Sequence, residues 1–373
     1  MIKKINSRNS TIELLRIFSM FAIVIHHYAI HGTYHLSMAA GEVIKGVDKT
    51  YLMLHFAGRV GVTIFVLIGA YFLSAKKFNF KRPINLILTM YFYSWIIFLI
   101  FKTFDPKLVY ETLGGNVWLK VMIPYLLPTS YWFVNAYVIM LLLMPYLNKV
   151  LNNVSKHQLQ CLLILLFVVD SVFPTLAIMF PRIEFDVANL GYSTGSYFIF
   201  LYFLAGYLQR YGSSFLFSMK CSLIVIASCL GIIALISQNP EDLHSYEIIN
   251  SVFEMYNPIC VMLSFYIFNV CLKINYRNRL INYLSGSMFA VYLISDNTFV
   301  RKVIWQQIFP SGKASRSAEA YLLLGLKASM CIFVITIVID LVIRRLLFIK
   351  AINWGTTKID FLCQRIFFSE RDS

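Results

Sequence analysis

Apolar stretches of about twenty residues alternate with short polar and basic connections along almost the whole chain. A helix needs about 20 mostly apolar residues to cross the hydrocarbon core of a bilayer. The pattern therefore predicts an all-α polytopic membrane protein, with about ten transmembrane helices in a single membrane-embedded domain over residues 1–373. The predicted helices cover roughly residues 11–31, 51–73, 84–101, 130–148, 158–180, 194–210, 217–237, 252–272, 280–300 and 320–347.

Two further segments complete this prediction. The stretch 106–127 is shorter and is interrupted by Gly114, Gly115 and Pro124, so we expect an interfacial or re-entrant segment there. The basic N-terminal residues lead into the first apolar run without a small-residue cleavage pattern, which indicates a retained helix rather than a signal peptide. No loop exceeds about 30 residues, so any chemistry is expected in or against the membrane.

The composition excludes most other classes of protein. Of the 373 residues, 59% are hydrophobic and only 14% are charged, whereas a soluble domain carries about 25% charged residues. A soluble enzyme, a coiled coil and a disordered chain are therefore excluded. The net charge of +15 comes mostly from short loops, which favours a role in membrane topology over nucleic-acid binding. The seven cysteines form no CxxC pair, so no zinc or redox site is expected.

The distribution of positive charge predicts the orientation. With ten helices both termini lie on one side, and that side would carry about twice as many Lys and Arg residues as the other. The positive-inside rule then places both termini in the cytoplasm. The loop with Arg301, Lys302, Lys313 and Arg316 is the exception, and either position effects or a role in binding an anionic group there would explain it.

The first predicted helix carries ionisable residues where they are costly, and such residues are functional candidates. Arg16 and His27 are eleven residues apart, so they project from one face, about 17 Å apart along the axis. Glu13 lies three positions before Arg16 and can pair with it. This face suits a long anionic ligand, with phosphates on Arg16 and its reactive end at His27, where a neutral imidazole acts as general base. The alternative is a snorkelling arginine with interfacial histidines.

Further candidates lie toward the expected outer face. Arg59 would occupy the outer half of the second helix, and Tyr131 and Trp132 would begin the fourth helix at the interface. We expect these three residues to shape the outer side of a binding site. The alternative is an aromatic belt with a snorkelling arginine. Five of the seven histidines crowd toward this face, but no carboxylate motif accompanies them, so no metal site is predicted.

Four separate segments resemble one protein family. The motifs GxGxxG, Walker A, HExxH and GxSxG are absent. The first helix instead resembles that of the acyltransferase 3 family, whose Arg or Lys, ten intervening residues and His map to Arg16 and His27. Segments 59–73, 131–148 and 289–297 resemble the family's "VPLFFxISGYFL", "YWFxxAYxxLYLLxPxLN" and "FGVYLIHDN" blocks. Ser295 departs from the pattern, since many members have a histidine there.

This resemblance implies an integral membrane O-acyltransferase of the cell envelope. Such an enzyme moves an acyl group, usually acetyl, from cytoplasmic acyl-CoA to a hydroxyl of a cell-surface polysaccharide or lipid-linked glycan. His27 would be the catalytic base, and Arg16 with Glu13 would hold the acyl-CoA. Arg59, Tyr131 and Trp132 would form the acceptor side, with the aromatic rings stacking on a sugar. The expected location is the bacterial cytoplasmic membrane. Acetyl-CoA would be a co-substrate, with no bound cofactor. The expected partners are membrane lipids, the acyl-CoA donor and the glycan acceptor, without nucleic acid, and no SGNH domain is expected.

Two other functions stay open at this point. A secondary transporter or flippase of a lipid-linked saccharide would use Glu13, Arg16 and Arg59 as translocation charges, although no inverted repeat is visible in the sequence. A glycan polymerase or ligase would be expected to carry a large extracellular loop, and the sequence contains no loop of that size.

Overall fold

The computed structural model describes residues 9–35, 46–114, 131–179, 193–237, 253–313 and 317–368. Within these ranges the chain is built from helices and forms no strand, so the all-α prediction is confirmed. The helices are α1 (Ser10–His31), α2 (Val47–Leu73), α3 (Lys81–Phe104), α4 (Pro106–Leu113), α5 (Trp132–Asn153), α6 (Lys156–Phe167), α7 (Phe173–Met179), α8 (Thr194–Tyr211), α9 (Met219–Ile236), α10 (Pro258–Lys273), α11 (Arg279–Leu284), α12 (Met288–Ser295), α13 (Thr298–Lys302), α14 (Ala318–Ile339) and α15 (Ile349–Phe368). Wider π-helical turns at Val168–Val172, Val303–Ile308 and Asp340–Phe348, and 3₁₀ turns at Phe215–Phe217, Ser285–Ser287 and Ser311–Lys313, complete the helical segments.

Seven helices in the described ranges are long and apolar enough to cross a membrane. They are α1, α2, α3, α5, Lys156–Ala177, α9 and Ala318–Gln364. The predicted segments 194–210, 252–272 and 280–300 correspond to α8, to α10 and to the broken pair α11 and α12, which are not among the seven. A count of ten spans and a cytoplasmic location of both termini stay predictions.

The structure departs from the predicted helix ends at three places. The predicted helix 280–300 is interrupted, because α12 ends at Ser295 and the Asn297 side chain accepts the Phe299 backbone N–H to start α13. Of the predicted segment 106–127, α4 is described and ends at Gly114, which has a φ of 63°. Residues 115–127 lie outside the described ranges. The last predicted helix, 320–347, continues as helix to Phe368.

Helices α1 and α2 pack closely, and small residues make this possible. An added Cβ on Gly61 would lie 2.6 Å from the backbone oxygen of Ser19, so only glycine fits there. An added Cβ on Gly58 would collide with the His26 side chain. This close approach brings the histidines of α1 directly against α2, and the His26 Nδ1 lies 2.8 Å from the His55 backbone oxygen.

Candidate active site

Helix α1 carries the predicted pair of site residues at two different depths in the bundle. Arg16 is partly exposed, and its NH1 donates to the Glu13 Oε2 at 2.7 Å. This is the ion pair that the i,i+3 spacing predicts. His27 is buried, with 5% of its surface exposed. Arg16 therefore lies partly exposed beside Glu13, whereas His27 lies inside the bundle.

The His27 cavity is a space of about 250 Å³ that is bounded by α1, α2, α5, α12 and α13. Its apolar walls include Ile23, Val62 and Phe65. Its polar lining combines histidines and charges of both signs, from His26, His27, His31, Arg59, Tyr292, Asp296 and Arg301. A small, mostly apolar space with a few converging polar groups is the usual form of a binding or catalytic site.

The Asp296 carboxylate lies at the centre of this polar set. Its Oδ1 is 3.4 Å from the His31 Nε2, 3.4 Å from the Arg301 NH1 and 3.7 Å from the His27 Nε2. Asp296 directly follows the last residue of α12, so the interruption before α13 places its carboxylate beside α1. One buried anion is therefore shared by two imidazoles and a guanidinium.

The two nitrogens of the His27 ring have different surroundings. Nε2 faces the Asp296 carboxylate, whereas Nδ1 is buried and has no hydrogen-bond partner in the described part of the chain. A carboxylate beside one ring nitrogen favours the tautomer that carries its proton there. The His27 Nδ1 then keeps a lone pair and can accept a proton from a bound molecule.

Arg59 forms a second ion pair at the edge of the His27 cavity. Its NH2 lies 3.0 Å from both carboxylate oxygens of Glu254. The His55 Nε2 is 4.0 Å from the same carboxylate. The Arg59 Nε is buried without a hydrogen-bond partner among the described residues. Arg59 therefore lines the cavity as a fixed cation rather than as a mobile surface side chain.

The two aromatic residues predicted for the acceptor side take different positions. Trp132 lines the His27 cavity. Tyr131 lies outside that lining and is buried, with 5% exposure. Its hydroxyl donates to the Leu293 backbone oxygen at 2.9 Å and accepts from the Asn297 Nδ2 at 2.9 Å. Tyr131 thus connects the start of α5 to α12 and α13, with a strained left-handed φ of 56°.

The Arg16 cavity, also about 250 Å³, lies next to the His27 cavity. The two cavities share Phe65, Phe133 and Phe289 as lining residues. Beyond the Arg16 cavity lies a basic pocket of about 640 Å³. It carries Lys81, Arg82 and Arg344, and shares Leu86, Gly286 and Phe289 with the Arg16 cavity. Three spaces therefore follow one another, from a basic pocket past Arg16 to His27.

Sequence reasoning did not place four of these residues in the site. Asp296 and Tyr292 lie in segment 289–297, which resembles a block of the family, but that resemblance assigned neither residue a role. Arg301 belonged to the loop whose positive charge contradicted the orientation rule, and this was a usable signal. Glu254 carried no signal, because only the fold brings it to Arg59, 195 positions away in sequence. Ser295 is fully buried and is not part of the His27 cavity lining.

Comparison with known proteins identifies the family. A family model described as an acyltransferase domain matches residues 9–354 and includes every site residue named above. No curated protein and no solved structure matches the chain. Because the match covers nearly the whole chain and the described helices include seven candidate spans, this protein is a membrane acyltransferase of the acyltransferase 3 family.

Proposed function

We propose that this protein transfers acetyl from cytoplasmic acetyl-CoA to a hydroxyl of a cell-surface or lipid-linked glycan, in the bacterial cytoplasmic membrane. One observation carries the proposal. Arg16 and His27 line two adjacent cavities that share Phe65, Phe133 and Phe289. A donor with an anionic end and a reactive thioester end would occupy both cavities at once.

The donor end of the site is basic. Coenzyme A carries several phosphates, and arginine binds phosphate through paired N–H donors. Arg16 is held by Glu13, and the Arg344 guanidinium is held by the buried Asp340, whose Oδ2 accepts from the Arg344 NH2 at 2.9 Å. With Lys81 and Arg82 in the same pocket as Arg344, these cations would bind the phosphates and leave the thioester pointing toward His27.

At the reactive end, His27 would act as general base through Nδ1. The acceptor hydroxyl gives its proton to Nδ1, and its oxygen attacks the thioester carbonyl carbon. The tetrahedral intermediate then expels the coenzyme A sulfur, which takes the proton from the imidazolium. Asp296 would stabilise the imidazolium that forms between these two steps.

The acceptor would approach from the side of Trp132 and Arg59. The Trp132 ring lines the His27 cavity and offers a flat surface on which a sugar can stack. Arg59 can donate to the reacting carbonyl oxygen or to acceptor hydroxyls, since its Nε has no partner among the described residues. The buried Tyr292 hydroxyl is a neutral donor on the same cavity wall.

The test uses purified protein in detergent and follows release of coenzyme A from acetyl-CoA with and without a panel of oligosaccharides. We expect acceptor-dependent release together with ester-linked acetate on one of the glycans. His27→Ala should lower the rate about 10²–10⁴-fold, the usual weight of general acid–base catalysis. Wild-type protein that releases no coenzyme A with any acceptor, or His27→Ala protein with near-normal turnover, would contradict the proposal.

A further inference from the structure

One side chain borders all three cavities of the proposed donor path. Phe65 and Phe133 border the His27 and Arg16 cavities, whereas Leu86 and Gly286 border the Arg16 cavity and the basic pocket. Phe289 lines each of the three. Any molecule that reaches from the basic pocket to His27 must therefore pass the Phe289 ring.

Phe133 and Phe289 both line the His27 and Arg16 cavities, but they differ in the aromatic rings that pack against them. Phe133 is buried and packs against the rings of Phe65 at 5.8 Å, Tyr137 at 5.5 Å and Tyr292 at 5.6 Å between centroids. Phe289 is only half-buried, and in the described part of the chain no aromatic ring pairs with it. Phe133 is thus held by several ring contacts, whereas Phe289 packs against the core with only part of its side chain.

The backbone that carries Phe289 is, by contrast, anchored. Phe289 is the second residue of α12 and follows the 3₁₀ turn Ser285–Ser287. The Arg345 NH1 donates to the Tyr283 backbone oxygen at 3.0 Å, just before that turn. A fixed backbone allows the half-buried Phe289 side chain to move without a rearrangement of the helices.

We propose that Phe289 determines which acyl group reaches His27. Its ring separates the Arg16 cavity from the His27 cavity, turns aside for the pantetheine arm of the donor, and admits only a short acyl chain. This inference rests on the proposed function. The His27 cavity, at about 250 Å³, is smaller than the roughly 300–1,000 Å³ of pockets for drug-sized ligands. It must hold the acyl group together with the acceptor hydroxyl, so each methylene added to the acyl chain leaves less room for the acceptor.

The same ring would limit wasteful hydrolysis. With the Phe289 ring packed against the pantetheine arm of a bound donor, the thioester end of the path is closed toward the basic pocket, and water from that pocket has less access to the thioester. Removal of the ring joins the two cavities into one larger space. Longer acyl chains should then be accepted, and hydrolysis without a glycan acceptor should rise.

The test measures coenzyme A release from acetyl-, butyryl- and hexanoyl-CoA, with water as the sole acceptor. We expect the wild-type protein to prefer acetyl-CoA over hexanoyl-CoA by at least about tenfold, because a closed apolar pocket discriminates against each added methylene. Phe289→Ala should reduce this preference to less than about threefold and raise acetyl-CoA hydrolysis several-fold. Phe289→Leu should be intermediate, and Phe289→Trp should keep the preference.

A matched control is Phe167→Ala, which removes a half-buried phenylalanine from α6, away from all three cavities. It should leave chain-length preference unchanged. A wild-type protein without chain-length preference, or a folded Phe289→Ala or Phe289→Leu protein with the wild-type preference, overturns the inference while the acyltransferase proposal stands. Absence of coenzyme A release from acetyl-CoA with every glycan acceptor overturns the proposed function itself.

Discussion

Replacement of Asp296 by Asn keeps the size of the side chain and removes the charge that His27, His31 and Arg301 share. In the proposed mechanism His27 becomes positive only after it takes the acceptor proton, so the carboxylate acts mainly on the transition state. At 3.7 Å and an effective dielectric constant of about 20, the attraction is worth about 4 kcal/mol. That corresponds to roughly 10³ in rate. Because Arg301 already neutralises part of the carboxylate, we expect a fall in kcat of about 10²–10³-fold.

The assay is a double-mutant cycle on acetyl-CoA turnover. Asp296→Asn, His27→Ala and the double variant are compared for kcat, and acetyl-CoA binding is measured separately by thermal shift. If Asp296 acts through His27, the double variant should be no slower than His27→Ala alone, because the two residues work as a unit. Donor binding should stay near the wild-type value in all three variants, since Arg16 is unchanged.

Asp170→Asn is the matched control, because Asp170 is also fully buried and accepts a hydrogen bond from the Ser196 hydroxyl at 2.6 Å outside the three cavities. It should lower stability without a comparable fall in kcat. A folded Asp296→Asn protein with kcat within about threefold of wild type would refute the reasoning. Fully additive losses in the double variant would do the same, because they would show that Asp296 acts independently of His27.

Three further pairs of substitutions probe packing, donor binding and acceptor binding. Gly61→Ala should destabilise the protein by about 1–3 kcal/mol through overpacking against α1, whereas Gly231→Ala, which meets no atom within 4 Å, should be neutral or stabilising in thermal unfolding. Arg16→Ala should weaken acetyl-CoA binding and Arg16→Lys should retain part of it, because a point charge lacks the paired donors of arginine; unchanged donor affinity in Arg16→Ala argues against the role. Trp132→Ala and Arg59→Ala should raise the acceptor KM or lower kcat while acetyl-CoA binding is preserved, and normal acceptor kinetics in both would reduce these residues to membrane anchors.

Arg16 and His27, at the donor end and the reactive end of the proposed site, could be predicted from local sequence because both lie on α1. Arg16 and His27 share α1, so the helical repeat alone fixes their common face and axial spacing. The Glu13–Arg16 ion pair follows from the same repeat. The chemical roles of these residues stay predictions until the kinetic tests are made.

Tyr131 and Glu254 show where local reasoning fails. An aromatic residue at a helix start is expected at the membrane interface, yet Tyr131 is turned inward because Leu293 and Asn297 supply its hydrogen-bond partners. Glu254 reaches Arg59 across 195 positions of sequence. Neither contact leaves a periodic signal, because the partners lie in segments far apart in the sequence.

The sequence by itself determined the all-α class, the apolar segments and the line from Arg16 to His27, since these depend on composition and on the repeat of a single helix. The tertiary structure decided which side chains surround Arg16 and His27. The break between α12 and α13 places Asp296 beside His27, and the packing of α2, α3, α5 and α12 forms the cavities that meet at Phe289. The physical reason is that a cavity is formed by side chains from several helices, and their relative depth and rotation are set by packing between helices rather than by any one segment.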